Sequence, residues 1–322
     1  MKFLAEDVLP VAHAAGFDEG VTEKVLHLIG LLNALNAHQY LKGRWALKGG
    51  TALNLFVLAL PRLSVDIDLN YIGAVELGAM ESERPHVEAA MHAVFSREGL
   101  TMVRTPLEHA GGKWRVTYPG FRGQAGALEV DLNFMFRLPL WEIRRRDSHA
   151  FGPFRALGTP VLDIHELAAG KLSALLSRQQ ARDVFDSHRL LTSNLLDPER
   201  LRLAFTVYGA MNRRDWRTVS PDDANLDVVE LSRHLLPTLT AMERNNDAQA
   251  ETLGKRLVEG CREGLSAVLP LRPNERAFLD LLLDRGEIDA SLLTGDSSLR
   301  ERIQRQPLLA WKAQNARLRE SR

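Results

Sequence analysis

The chain has 322 residues, 45% hydrophobic, 25% charged and 7% aromatic, with 41 basic residues against 41 acidic ones; this is a globular composition with length for two domains. Its single cysteine, Cys261, excludes an intramolecular disulfide and a cysteine-rich zinc site, and points to a reducing, cytoplasmic setting. Zero formal charge argues against a general nucleic-acid coat while leaving local patches open.

The opening MKFLAEDVLP begins like a secretion signal, but Glu6 and Asp7 interrupt its apolar run. Residues 1–42 read as helical, with GVTEKVLHLIGLLNAL giving the clearest 3.6-residue period. Trp45 to Lys48 reads as a short strand closed by Gly49 and Gly50. Thr51 is the expected N-cap of an apolar helix from Ala52 to Leu60, ended by Pro61. The most apolar run, Leu53 to Leu60, is far short of the ~20 residues that span a bilayer, so no membrane insertion is expected.

SVDIDLNYI, from Ser64 to Ile72, alternates and predicts a strand; residues 74–98 predict a helix. From Thr101 the chain changes to short strands, KWRVTY and ALEVDLNFMF, set off by Gly and Pro turns. Beyond Pro160 it is almost wholly helical. The Gly/Pro-marked stretch FGPFRALGTP is the expected boundary, giving domains 1–155 and 156–322. Two segments are basic: Arg144, Arg145 and Arg146, and the tail from Leu299 to Arg322; a solvated helix face is the plain reading of each.

The chemistry gathers in the first half. Asp66 and Asp68 leave one face of their strand, with Val65, Ile67 and Leu69 on the other. Two carboxylates ~7 Å apart along a strand repel each other and are best tolerated around a cation or in water. In LEVDLNF, Glu129, Asp131 and Asn133 likewise share a face; if the two strands are neighbours, Asp131 adds a third carboxylate. Hard oxygen donors of this kind suit Mg²⁺ or Mn²⁺. Upstream, Lys48, Gly49, Gly50 and Thr51 sit at a strand-to-helix turn, where bare backbone and a helix start favour a phosphate. Taken singly, each signal is more often a solvated strand face or an ordinary turn. Together they form equipment for metal-assisted phosphoryl or nucleotidyl transfer.

LKGGTALNLF followed by PRLSVDIDLNY resembles the nucleotidyltransferase-fold toxins of the AbiEii/AbiGii type, including the MenT-like group. The resemblance returns in HELAAGKLSALLSRQQARDVFDSHRLL, where Glu166, Ala169, Lys171, Ala174, Leu175, Arg178, Arg182, Asp183 and Asp186 fill the family pattern; it covers roughly residues 45–195. It implies an α+β chain: a nucleotidyltransferase (DNA polymerase β-like) fold with a mixed sheet in the N-terminal half, and a helical C-terminal domain completing the active-site cleft. By the same resemblance Lys171 contacts nucleotide phosphates, Asp183 orients the nucleotide or holds the site together, Lys48 assists at the triphosphate, and Ser64 stands beside the carboxylates. Arg182 joins the nucleotide-binding set or pairs structurally with Asp186.

On one ideal helix, Lys171, Arg178, Arg182 and Arg189 fall within about 20° of one direction; a break at Arg178-Gln179-Gln180, the alternative, would reset the orientation of Asp183. Such a basic stripe suits a triphosphate or an RNA backbone; the alternative is a snorkelling lysine among i,i+4 salt bridges. The expected activity is metal-dependent transfer of a nucleoside monophosphate from a nucleoside triphosphate to the 3′ end of tRNA, releasing pyrophosphate. The resemblance adds a toxin–antitoxin or phage-defence setting with a cognate antitoxin partner. The alternatives are a transferase acting on a small molecule or a protein side chain, and a non-catalytic nucleotide- or RNA-binding scaffold.

Overall fold

A computed structural model describes residues 2–104, 111–178, 180–246 and 250–320. The opening helical stretch consists of α1 (Ala5–Ala15) and α2 (Glu19–Ala37). Gly16 ends the first at φ 70°, and Asp18 caps the second by accepting from the Val21 N–H at 3.0 Å. The strands are β1 (Trp45–Lys48), β2 (Asp66–Tyr71), β3 (Thr101–Arg104), β4 (Gly111–Pro119), β5 (Ala125–Asn133), β6 (Arg144–Arg146) and β7 (Thr159–Val161). Between them lie α3 (Gly49–Phe56) and α4 (Leu77–Arg97).

The strands form one mixed sheet in the order β3-β4-β5-β2-β1-β7-β6. β2 runs parallel to β5, and β1 parallel to β7; the other pairings are antiparallel. Alternation fixes the faces. Ile67 and Leu69 of β2, Trp114, Val116 and Tyr118 of β4, and Leu128, Val130 and Leu132 of β5 are buried on one face. Helices cover that face: the Trp114 indole N–H donates to His92 of α4 at 3.0 Å, and His27 of α2 stacks on Tyr118 with centroids 3.7 Å apart. Asp66, Asp68, Lys113, Arg115, Glu129 and Asp131 occupy the opposite face, none of them buried.

The chain divides into two compact units. The first takes residues 1–137, 143–162 and 236–246, and holds the whole sheet. Its last segment is stitched in by the Leu63 N–H donating to the Thr238 carbonyl and the Ala241 N–H donating to that of Gly16, each at 2.8 Å. The second takes residues 138–142, 163–235 and 247–322. It is built from α5 (Ile164–Leu175), α6 (Ala181–Leu191), α7 (Pro198–Ala210) and later helices. A buried Arg202–Glu275 pair, 2.7 and 2.9 Å, ties α7 to the helix Pro273–Asp280. Among the described residues, no helix is long and apolar enough to cross a membrane.

Two local expectations are corrected. Thr51 does not cap: α3 begins at Gly49 with Lys48 as its N-cap residue, and ends at Phe56. The Thr51 hydroxyl donates instead to the Asp66 carbonyl at 2.5 Å, tying α3 to the start of β2. Residues 164–191 are not one helix, because the chain leaves helical geometry after Leu175 and restarts at Ala181.

Candidate active site

In the first unit, register creates the site. Lys48 of β1 pairs with Asp68 of β2, Asp68 with Asp131 of β5, and Asp131 with Lys113 of β4. One rung across four strands therefore reads Lys113, Asp131, Asp68, Lys48: two carboxylates side by side between two ammonium groups. On the neighbouring rung Asp66 pairs with Glu129, and Glu129 with Arg115. Lys113 bonds Glu129 at 3.1 Å.

The glycine turn is shaped to this rung. Gly49 has φ 71°, the left-handed region that favours glycine, and a Cβ there would collide with the Asp68 carboxylate. A Cβ on Gly50 would meet Ser64 Oγ at 2.8 Å and Arg62 Nη2 at 2.9 Å. The bare backbone at the start of α3 thus lies against Asp68 and Ser64 together.

Electrostatics shows the strain of the clustered acids. Burial raises the Asp131 carboxyl above its usual range; Lys48 and Lys113 oppose the rise, while Asp68 and Glu129 add to it. Among the described residues, no three His, Cys, Asp or Glu side chains stand close enough together to hold a metal. Two carboxylates, with water and substrate phosphate oxygens, nevertheless suffice for Mg²⁺. Asp66 and Asp68 on one face, with the bare Gly49–Gly50 backbone beside Asp68, fit that requirement.

In the second unit, α5 and α6 bring Lys171 to two carboxylates. Its ammonium bonds Asp183 Oδ1 at 2.8 Å and Asp186 Oδ2 at 2.9 Å, and Arg178 Nε bonds Asp183 Oδ2 at 2.8 Å. Lys171, Asp183 and Asp186 are all buried. Burial alone would raise the Asp183 carboxyl, but Lys171 and Arg178 outweigh it and hold it below its usual range. Helix α5 also places Glu166 out of water, where it accepts from the Leu140 N–H at 2.9 Å, the Trp141 N–H at 3.3 Å and the Tyr208 hydroxyl at 3.0 Å. Burial pushes its carboxyl up to about 7.

Sequence reasoning thus assembled the turn, the Asp66–Asp68 strand and the position of Asp131. It missed Lys113 and Arg115 beside them; their alternation with Trp114 and Val116 already set them on the face away from the core, and pairing with β5 makes that the acidic face. It also missed Asp186 as a partner of Lys171, because the ideal-helix projection runs through the break after Leu175.

The family described as Nucleotidyl transferase AbiEii toxin, Type IV TA system, matches residues 30–304. No curated protein is significantly similar in sequence. Among solved structures, the fold is similar to that of MenT4, a nucleotidyltransferase toxin from Mycobacterium tuberculosis H37Rv, with a TM-score of 0.62 at 14% identity, over 94% of this chain and 98% of that one.

Proposed function

Because the chain belongs to the AbiEii family of nucleotidyl transferase toxins and is itself a nucleotidyltransferase, we propose that it transfers a nucleoside monophosphate from a nucleoside triphosphate to the 3′ end of tRNA, releasing pyrophosphate. The observation that carries this reading is the Asp131–Asp68 pair, set by parallel register, with Asp68 lying against the Gly49 backbone.

In this reading the triphosphate lies on the N–H groups of Gly49, Gly50 and Thr51, with Lys48 at its flank and Ser64 beneath Gly50. Asp66 and Asp68 hold Mg²⁺ or Mn²⁺, and Asp131 is the third candidate ligand. Such a cation, when bound, neutralises charge at the phosphoryl group and lowers the pKa of an attacking hydroxyl. One of the aspartates takes the hydroxyl proton. Lys171 contacts nucleotide phosphates, Asp183 holds that lysine in place through its ion pair, and Arg182 belongs to the same nucleotide-binding set. The wider setting is a cytoplasmic toxin with a cognate antitoxin, or a phage-defence pair.

The test incubates the full chain with Mg²⁺, unfractionated bacterial tRNA and each α-labelled nucleoside triphosphate, beside Asp66→Ala. Metal-dependent label on tRNA, absent in the variant, is the expected result. Label on protein or a small acceptor instead overturns the substrate, and no transfer to any acceptor leaves a binding scaffold.

A further inference from the structure

The open face of the sheet does not end at the carboxylates. Beyond Asp131 and Glu129 it continues over β4 and β3, two strand spacings or roughly 10 Å further out. Three cations stand there, all exposed: Lys113, Arg115 and Arg104. Arg115 of β4 and Arg104 of β3 are cross-strand partners, brought opposite each other by a register shift between Met102 and Arg104. Like charges directly opposite each other on one face destabilise a strand pair. Among the described residues, neither guanidinium has a carboxylate within ion-pairing distance. Glu129, opposite Arg115 on β5, hydrogen-bonds Lys113 and feels the Arg115 charge only at a distance. Among the described residues no ion pair relieves two facing arginines at an edge strand, whereas an anion bridging them would convert the repulsion into attraction.

The direction of the proposed chemistry says which anion. If the triphosphate rests on the β1–α3 turn, its pyrophosphate leaves on that side of the carboxylates. An in-line acceptor then approaches from the opposite side, over β5 and β4. A small acceptor ends at the carboxylates and has nothing to do two strands away. An acceptor that continues as a phosphate chain crosses the cations in turn. We infer that the β4–β3 face, through Lys113, Arg115 and Arg104, is the track for the backbone of the acceptor RNA; this placement rests on the transferase reading above. It locates RNA on the sheet rather than on the basic helices of the second half. Phosphate contacts of this kind position a strand without reading its sequence.

The test measures binding rather than turnover, with unfractionated tRNA titrated onto the full chain lacking nucleotide. Arg104→Glu with Arg115→Glu is expected to weaken binding at least about tenfold and to make its salt dependence shallower by about two units of slope. The single change Arg104→Glu weakens RNA binding while creating an opposite-charge pair with Arg115 on an edge strand that has no other neighbour, so its thermal midpoint is expected to hold or rise. A merely structural arginine would not separate the two readouts. Arg144→Glu with Arg146→Glu, on the opposite sheet edge, serves as the control and is expected to leave binding unchanged. Unaltered tRNA binding in the β3–β4 double variant overturns the inference. So does an equal loss in the control, or a wild type that does not hold tRNA. If the wild type transfers no label to tRNA yet loses binding only in the β3–β4 variants, the track stands and the proposed reaction falls.

Discussion

Gly49 and Lys171 carry the sharpest single-residue consequences. An L side chain at φ 71° costs about 1–2 kcal/mol, and at Gly49 its Cβ would also displace the Asp68 carboxylate. Gly49→Ala is therefore expected to lower nucleotidyl transfer by two orders of magnitude or more while the chain still folds, to be checked by turnover beside a denaturant melt. Lys171→Ala behaves differently. It leaves Asp183 and Asp186 buried around a missing cation, and breaking a buried ion pair in this way costs about 3–5 kcal/mol. Loss of activity in that variant is thus expected to come with a lowered unfolding midpoint. Adding Asp186→Asn should recover part of the stability without recovering transfer.

Two helices give the units opposite responses to pH. On α2, His27 is sealed between Phe3 and Tyr118, and among the described residues neither ring nitrogen has a hydrogen-bond partner. Burial lowers its pKa to about 4. The unfolded chain takes up a proton that the folded one refuses, so this stability is present above about pH 6.5 and drains as pH falls toward 4, by roughly 3 kcal/mol in all. His27→Phe should flatten the acid limb of a denaturant-midpoint profile. On α5, Glu166 has the reverse sign. Its folded pKa of about 7 lies above the unfolded value, so stability is full at low pH and is lost as pH rises through 7, again by roughly 3 kcal/mol. Glu166→Gln should narrow the difference in midpoint between pH 5 and pH 8. What the sequence disclosed at this scale follows the same physics. β2 and β5 were legible because period-2 alternation is written into SVDIDLNYI and LEVDLNF themselves. Their parallel adjacency was not, since register is a property of pairing that neither strand encodes alone. The start of α3 was misplaced because Thr51 is a good capping residue in isolation, whereas in the fold its hydroxyl is taken by the Asp66 carbonyl. The break was legible as an alternative at Arg178 to Gln180, but its start after Leu175 was not, as Ser177 to Gln180 contains neither glycine nor proline.

For the whole molecule, formal neutrality conceals a strong sorting of charge, with acids and bases arranged along rungs of one sheet face. Raising salt is accordingly expected to weaken tRNA binding steeply and triphosphate binding less, readable from parallel titrations between 50 and about 200 mM salt. Connectivity has its own consequence. A fragment of residues 1–155 would lack β7, which lies between β1 and β6, and would lack the segment 236–246 that bonds Leu63 and Gly16. It is expected to melt without a cooperative transition, as seen by circular dichroism. The same threading acts on the ribosome. Chains generally acquire structure in the order they emerge, N-terminal domain first; here the sheet-bearing unit waits for residue 246, with residues 163–235 of its companion translated in between. A nascent toxin that already carries Asp66, Asp68 and Asp131 is therefore still unfinished, and its sheet-bearing unit is complete only once residue 246 has left the ribosome.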